Sequence, residues 1–209
     1  MHRSAFSPSR FFLRFAPRFA SRRAARAAPN LSRRARAAVG ALVAGAVLMA
    51  CSPTFDWRTI MNDDNGYTVD LPAKPGTDER TIDIGGTQMK MRMQTAEAGH
   101  AVFAVGTVML PGDNPRMQQA ALDFLRTGLA RNLGATPEYH ATQIPLAAGG
   151  QVPGIEMAFS GKAGPQQETR TLHARLVVRG QRVYQAAVIA DRELPAEQLD
   201  QFFQSFKLY

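Results

Sequence analysis

The side chains that could carry chemistry are few in this 209-residue chain, and their spacing decides most of what they can do. His100, His140 and His173 are the histidines beyond the N-terminal region, and no two of them stand three or four positions apart. That spacing is what places two ligands on one helix face for a metal, so these three could meet only in three dimensions. Met89, Met91 and Met93 alternate, which puts their thioethers on one face of a strand. Thioethers can hold Cu(I), but methionine also fills irregular apolar space. With Lys90, Arg92 and Gln94 on the opposite face, the pattern is that of a half-buried strand, and core packing is the simpler reading. The run Asn62-Asp63-Asp64-Asn65-Gly66 invites a calcium-loop reading. A loop with Gly66 in sixth place needs an acid where Met61 stands and a glutamate where Pro72 stands, so it reads as a turn. Ser160-Gly161-Lys162-Ala163-Gly164 reads as a loop between strands. Its lysine precedes the second glycine, which is not the order of a phosphate-binding loop. No Gly-x-Ser-x-Gly elbow occurs, and the acids are too scattered to pair from sequence. The expectation is therefore no catalytic residue, no metal site and no cofactor: not an enzyme.

One residue stands apart. Cys51 is the single cysteine, so the chain has no internal disulfide and no thiolate cluster. Directly before it, residues 37–50 read AAVGALVAGAVLMA, fourteen apolar or small residues without a charge. A membrane-spanning helix needs about 20 such residues, whereas a signal-peptide core needs fewer. Arg33, Arg34 and Arg36 precede this stretch as the positively charged flank expected to stay on the cytoplasmic side.

Leu48-Met49-Ala50-Cys51 resembles the lipobox of bacterial lipoprotein signal peptides, with an aliphatic residue three before the cysteine and a small one just before it. The resemblance implies cleavage after Ala50 and lipidation of Cys51. Each buried methylene contributes about 0.8 kcal/mol, and two or more acyl chains hold a protein stably on a bilayer. Ser52, rather than an aspartate, follows the cysteine. In bacteria with two membranes that resembles lipoproteins sorted to the outer membrane; the inner membrane is the alternative. A membrane protein with one uncleaved N-terminal helix is the competing reading of the same segment.

Charge supports this division. The full chain carries a formal +8, which by itself would suggest a nucleic-acid partner. Residues 1–36 hold ten arginines and no acid, and from Cys51 onward 15 Lys and Arg meet 17 Asp and Glu. The basicity belongs to the leader, and nucleic-acid binding is not expected of the rest. Residues 1–50 form the leader, of which 1–30 are Arg-rich and read as an unstructured extension or a start placed too early. Residues 51–56 read as a tether and 57–209 as one domain, long enough to bury a core without a staple.

That domain must supply whatever positions a site. Expected strands are Trp57 to Met61, Tyr67 to Leu71, Arg80 to Ile84, Thr87 to Gln94 and Ala101 to Leu110. The last is apolar on both faces, as a central strand requires. Asn65-Gly66 and Gly85-Gly86 are hairpin signals. Asp113 or Asn114 caps a helix with Pro115 at its first turn and Met117, Ala121, Phe124, Leu125 and Leu129 as its apolar stripe, and Gly134 ends it. Glu138 to Ile144, Gly154 to Phe159, Thr169 to Val178 and Arg182 to Ala190 read as further strands. Pro195 opens a last helix through Phe203, with Leu199, Phe202, Phe203 and Phe206 as packing residues. The order predicts an α+β fold, an antiparallel sheet with helices on its faces.

Gly66-Tyr67-Thr68-Val69-Asp70-Leu71-Pro72 and Phe202-Phe203-Gln204-Ser205-Phe206-Lys207 resemble the PsbP-like fold of photosystem extrinsic subunits and their uncharacterised bacterial relatives. The resemblance covers the two ends of the domain. It implies an α/β/α sandwich with a binding or assembly role, and carries no photosystem partner with it. The expected function is a non-enzymatic envelope lipoprotein, held to the membrane by its lipid, with its domain in the periplasm and an envelope protein as its partner. A periplasmic small-ligand or metal binder is the alternative.

Overall fold

The computed structural model describes residues 54–136, 138–164 and 167–209, so the leader, Cys51 and the lipobox lie outside the described residues. Ten strands and two helices follow one another: β1 (Arg58–Asn62), β2 (Tyr67–Leu71), β3 (Gly76–Ile84), β4 (Thr87–Ala98), β5 (Ala101–Met109), α1 (Pro115–Asn132), β6 (His140–Pro145), β7 (Gln151–Ala163), β8 (Glu168–Arg179), β9 (Arg182–Ala190), α2 (Ala196–Ser205) and β10 (Lys207–Leu208). The α+β class expected from sequence holds.

Seven strands form one antiparallel sheet in the order β3-β4-β5-β9-β8-β7-β6. Two meanders, β3-β4-β5 and β6-β7-β8-β9, meet where β5 pairs with β9. The tight turns suit their residues. Gly85 and Gly86 both hold positive φ (60° and 85°) between β3 and β4, a conformation that costs glycine little. Gly180 opens the two-residue turn between β8 and β9 at φ 55°. Helix α1 is the crossover from β5 to the far edge. Asn114 caps it, its side chain accepting from the backbone N–H groups of Arg116 and Met117, and Pro115 stands at its first turn.

Two cores lie on the two faces of this sheet. On one, Ala121, Leu125 and Leu129 of α1 pack with Met89, Met91, Met93, Ala104, Leu172 and Leu176. The three methionines are each less than 5 % exposed. Gly106, paired with Met93 across β4 and β5, makes room for them: a Cβ there would stand 2.6 Å from the Met93 sulfur and 2.7 Å from the Met91 methyl. The methionine stripe is thus core. Its opposite face is less uniform than alternation predicts. Lys90 is exposed, but Gln94 is only partly so and accepts from the Tyr67 hydroxyl at 2.7 Å.

The other face is covered by α2 and a second, three-stranded sheet, β1-β2-β10. Tyr67, Val69 and Leu71 of β2 join Phe202, Phe203 and Phe206 against Phe103, Val105, Tyr184 and Val188. The C-terminal residues stitch the sheets together. Leu208 pairs with Tyr67 of β2 and makes an isolated bridge to Leu146 just past β6, while the Tyr209 N–H donates to the Gly66 carbonyl at 3.0 Å.

One expected loop is strand. Ser160 to Ala163 extend β7, paired with Thr171 to Glu168. The glycine that suggested a loop is there for contact: a Cβ on Gly161 would sit 2.0 Å from the Leu133 carbonyl oxygen, and the Lys162 N–H donates to that oxygen at 3.1 Å. Packing also begins ahead of Trp57. Phe55 stacks on Trp57 at 5.9 Å and meets Phe103 edge-on at 6.3 Å, and the Asp56 N–H donates to the Pro72 carbonyl.

Candidate functional site

The three histidines do not assemble. His100 sits in the turn between β4 and β5 and is exposed, with φ at 66°. His140 and His173 share a sheet face. The register places Glu156 opposite His140, Arg175 opposite Glu156, and His173 two residues from Arg175 on β8. With strands about 4.8 Å apart and a rise of about 3.3 Å per residue, the two histidine Cα atoms are roughly 12 Å apart. Among the described residues no group of three His, Cys, Asp or Glu is placed to hold a metal ion. His173 is half-buried, and burial pushes its pKa below the usual value of 6.5, with nearby Glu156 opposing.

Two cavities remain as candidates, and neither is lined by a histidine. The larger, about 640 Å³, is an open groove between the outer side of β2 and α2. Its acids are Asp70, Glu197 and Asp200. Asp70 is already engaged: the Thr59 hydroxyl donates to it at 2.7 Å and the Gln201 amide donates to its other oxygen.

The smaller cavity, about 350 Å³, lies at the tip of the β8–β9 hairpin. The hairpin pairs Arg179 with Arg182, so both guanidinium groups leave the sheet on the same face, and both line the cavity. Tyr184, two residues along β9, lies on that face too and forms part of the wall; Met109 and Tyr209 complete it. The Tyr184 hydroxyl donates to the Asn65 carbonyl at 2.9 Å, and an Arg182 guanidinium nitrogen donates to the Asp64 carbonyl at 3.3 Å. The β1–β2 turn is therefore docked on Arg182 and Tyr184, two of the lining residues, and its asparagines hold its shape: the Asn62 side-chain oxygen accepts from both the backbone N–H and the side-chain amide of Asn65.

The electrostatics of this corner are one-sided. No Asp or Glu side chain lines the cavity. Among the described residues Arg179 and Arg182 have no carboxylate within ion-pair distance, whereas nearby Lys90 and Arg92 share Glu79 at 2.8 and 2.7 Å. Burial raises the Tyr184 pKa above its usual 10.0, and the positive charges of Arg182 and Arg179 pull against that rise. Among the described residues, seven buried side-chain nitrogen or oxygen atoms lack a hydrogen-bond partner. Four belong to this corner: Asn65 Oδ1, Thr107 Oγ1, Arg179 Nη1 and Arg182 Nε. Thr107 pairs with Tyr184 across β5 and β9, which brings its hydroxyl into the group.

The chain matches no protein-family model and no curated protein sequence. No helix among the described residues is long and apolar enough to cross a membrane. Sequence reasoning singled out Cys51 and the histidines, and reads Arg179-Gly180-Gln181 only as a turn before the strand from Arg182. The signal was present, since two arginines flank a two-residue turn. What it lacked was the approach of Met109, Tyr184 and Tyr209, which close a cavity around them.

Proposed function

We propose that this chain is a lipid-anchored binding module of the bacterial cell envelope, acting by recognition rather than catalysis. The observation that carries the reading is Leu48-Met49-Ala50-Cys51, a lipobox-like run that closes an uncharged apolar stretch of signal-peptide length. The beginning of the fold agrees with it. Among the described residues Phe55 already packs on the domain, four residues past Cys51. Four residues reach at most about 14 Å, so a lipid on Cys51 holds the Phe55 end of the domain against the bilayer. The layered arrangement, with α1 on one sheet face and α2 with β1-β2-β10 on the other, suits the PsbP-like α/β/α sandwich that the two end motifs resemble. Ser52 after the lipidated position favours the outer membrane.

Labelled palmitate tests the reading. It is expected to enter the wild-type chain and not Cys51→Ser, and the lipidated form should fractionate with the outer membrane. Equal labelling of both chains, or of neither, overturns the anchor.

A further inference from the structure

We propose that the cavity at the tip of the β8–β9 hairpin is a binding site for a small oxyanion, a carboxylate or phosphate group held by Arg179 and Arg182. The inference deepens the binding-module reading and does not depend on the lipid anchor.

A buried guanidinium N–H without an acceptor costs more than an exposed one, because it has given up water for nothing. Arg179 Nη1 and Arg182 Nε are such nitrogens among the described residues, and other parts of the same two side chains line the cavity. They are paired across adjacent strands, and like charges directly opposite one another repel. A carboxylate or phosphate between them supplies acceptors for both forks and removes the repulsion in one step. The Thr107 hydroxyl, buried and without a partner, lies behind Tyr184 on the same sheet face and is not part of the cavity lining. Tyr184 is committed to the Asn65 carbonyl, so it serves as wall rather than ligand.

The surroundings agree in sign. Lys90 pairs with Met109 across β4 and β5, and Arg92 pairs with Thr107, so two more cations flank the cavity on the same sheet face. Glu79 answers both of these, and Asp64 acts on Arg92 from the turn; neither acid lines the cavity. A volume of about 350 Å³ suits a small ligand rather than a protein loop.

The test is calorimetric titration of the full-length chain in a mild detergent. Sodium phosphate and sodium citrate form two arms, with sodium chloride at matched ionic strength as the control. Binding of phosphate or citrate with a dissociation constant on the order of 1 mM or tighter is expected, and the arm that binds names the source. Arg179→Gln has no hydrogen bond to lose and is expected to weaken binding at least about tenfold. Arg182→Gln should do the same, while Arg131→Gln, in the last turn of α1, leaves binding unchanged. No heat in either arm at about 10 mM ligand, an effect matched by chloride, or full binding in Arg179→Gln overturns the proposal. Loss of Cys51 lipidation with phosphate or citrate binding intact would remove the anchor and leave this site standing; the reverse would do the opposite.

Discussion

The Tyr184 hydroxyl, near one end of the central strand β9, donates to the Asn65 carbonyl in the β1–β2 turn at 2.9 Å, across 119 positions of sequence. This bond hooks the small sheet onto the large one. Tyr184 also meets Tyr67 edge-on at 6.3 Å and Phe206 at 6.3 Å, so a ring and a hydroxyl act in the same place. Tyr184→Phe keeps the ring and removes the bond. Leaving a buried carbonyl without its donor costs about 1–3 kcal/mol. In urea unfolding the midpoint is expected to fall while the slope against denaturant is kept. An unchanged midpoint would mean that ring packing alone holds the turn.

Gly161 yields a sharper contrast. Its Cβ position is occupied by the Leu133 carbonyl oxygen, which is backbone just past the α1 C-terminus and cannot swing aside. Gly161→Ala must push the end of α1 off β7 and break the Lys162-to-Leu133 hydrogen bond. A loss of about 2–4 kcal/mol is expected. Gly112, in the loop before α1, meets nothing within 4 Å and has no positive φ. Gly112→Ala should leave stability unchanged or raise it by about 0.4–1 kcal/mol. Thermal unfolding of the two variants side by side checks the difference.

The same contrast explains what was legible. Alternation marked β2 and β9 at their observed bounds, Tyr67–Leu71 and Arg182–Ala190, because one or both faces of each are buried. The cap at Asn114 and the apolar stripe through Ala121, Leu125 and Leu129 located α1. Local signals failed where the cause is distant. Gly161 reads as a loop residue until Leu133 is seen against it. β10 is two residues long and exists only through its pairing with Tyr67 and Thr68. The Arg179–Arg182 cavity has the same origin, since Met109 and Tyr209 of its wall come from distant parts of the chain. Cys51 needs no fold to be read, because its signal is the local run before it.

His173 sets an acid-side prediction. Burial lowers its folded-state pKa below the usual 6.5, so the unfolded chain binds its proton first as pH falls. Stability from this residue is fully present above pH 6.5 and declines below it, until the folded form also takes the proton. Arg175, beside Glu156 at 3.0 Å, adds a positive charge on the same face, and Glu156 opposes. Between pH 7 and 5.5 the urea midpoint of the wild type should fall more than that of His173→Gln. Parallel curves for the two would show that the imidazole is not the group responsible.

On the alkaline side the sign reverses. Burial raises the pKa values of Tyr67 and Tyr184 above the usual 10.0. Tyr67 is the more strongly shifted. Asn62, whose amide donates to its oxygen at 3.1 Å, pulls the other way without cancelling the burial. As pH passes 10 the unfolded chain loses these phenol protons while the folded chain keeps them. Stability is therefore complete below pH 10 and drains above it as pH approaches the folded-state values. Tyr67→Phe removes one titrating group, and with it the hydrogen bond to Gln94, so its stability at neutral pH should be lower than that of the wild type. Its further loss between pH 9.5 and 11.5 should nevertheless be smaller, because one group fewer releases a proton on unfolding. Thermal melts across that range, with phenolate absorbance followed through each transition, separate the two effects. If the variant and the wild type lose stability with the same slope, ionisation of Tyr67 is not what limits the fold at high pH.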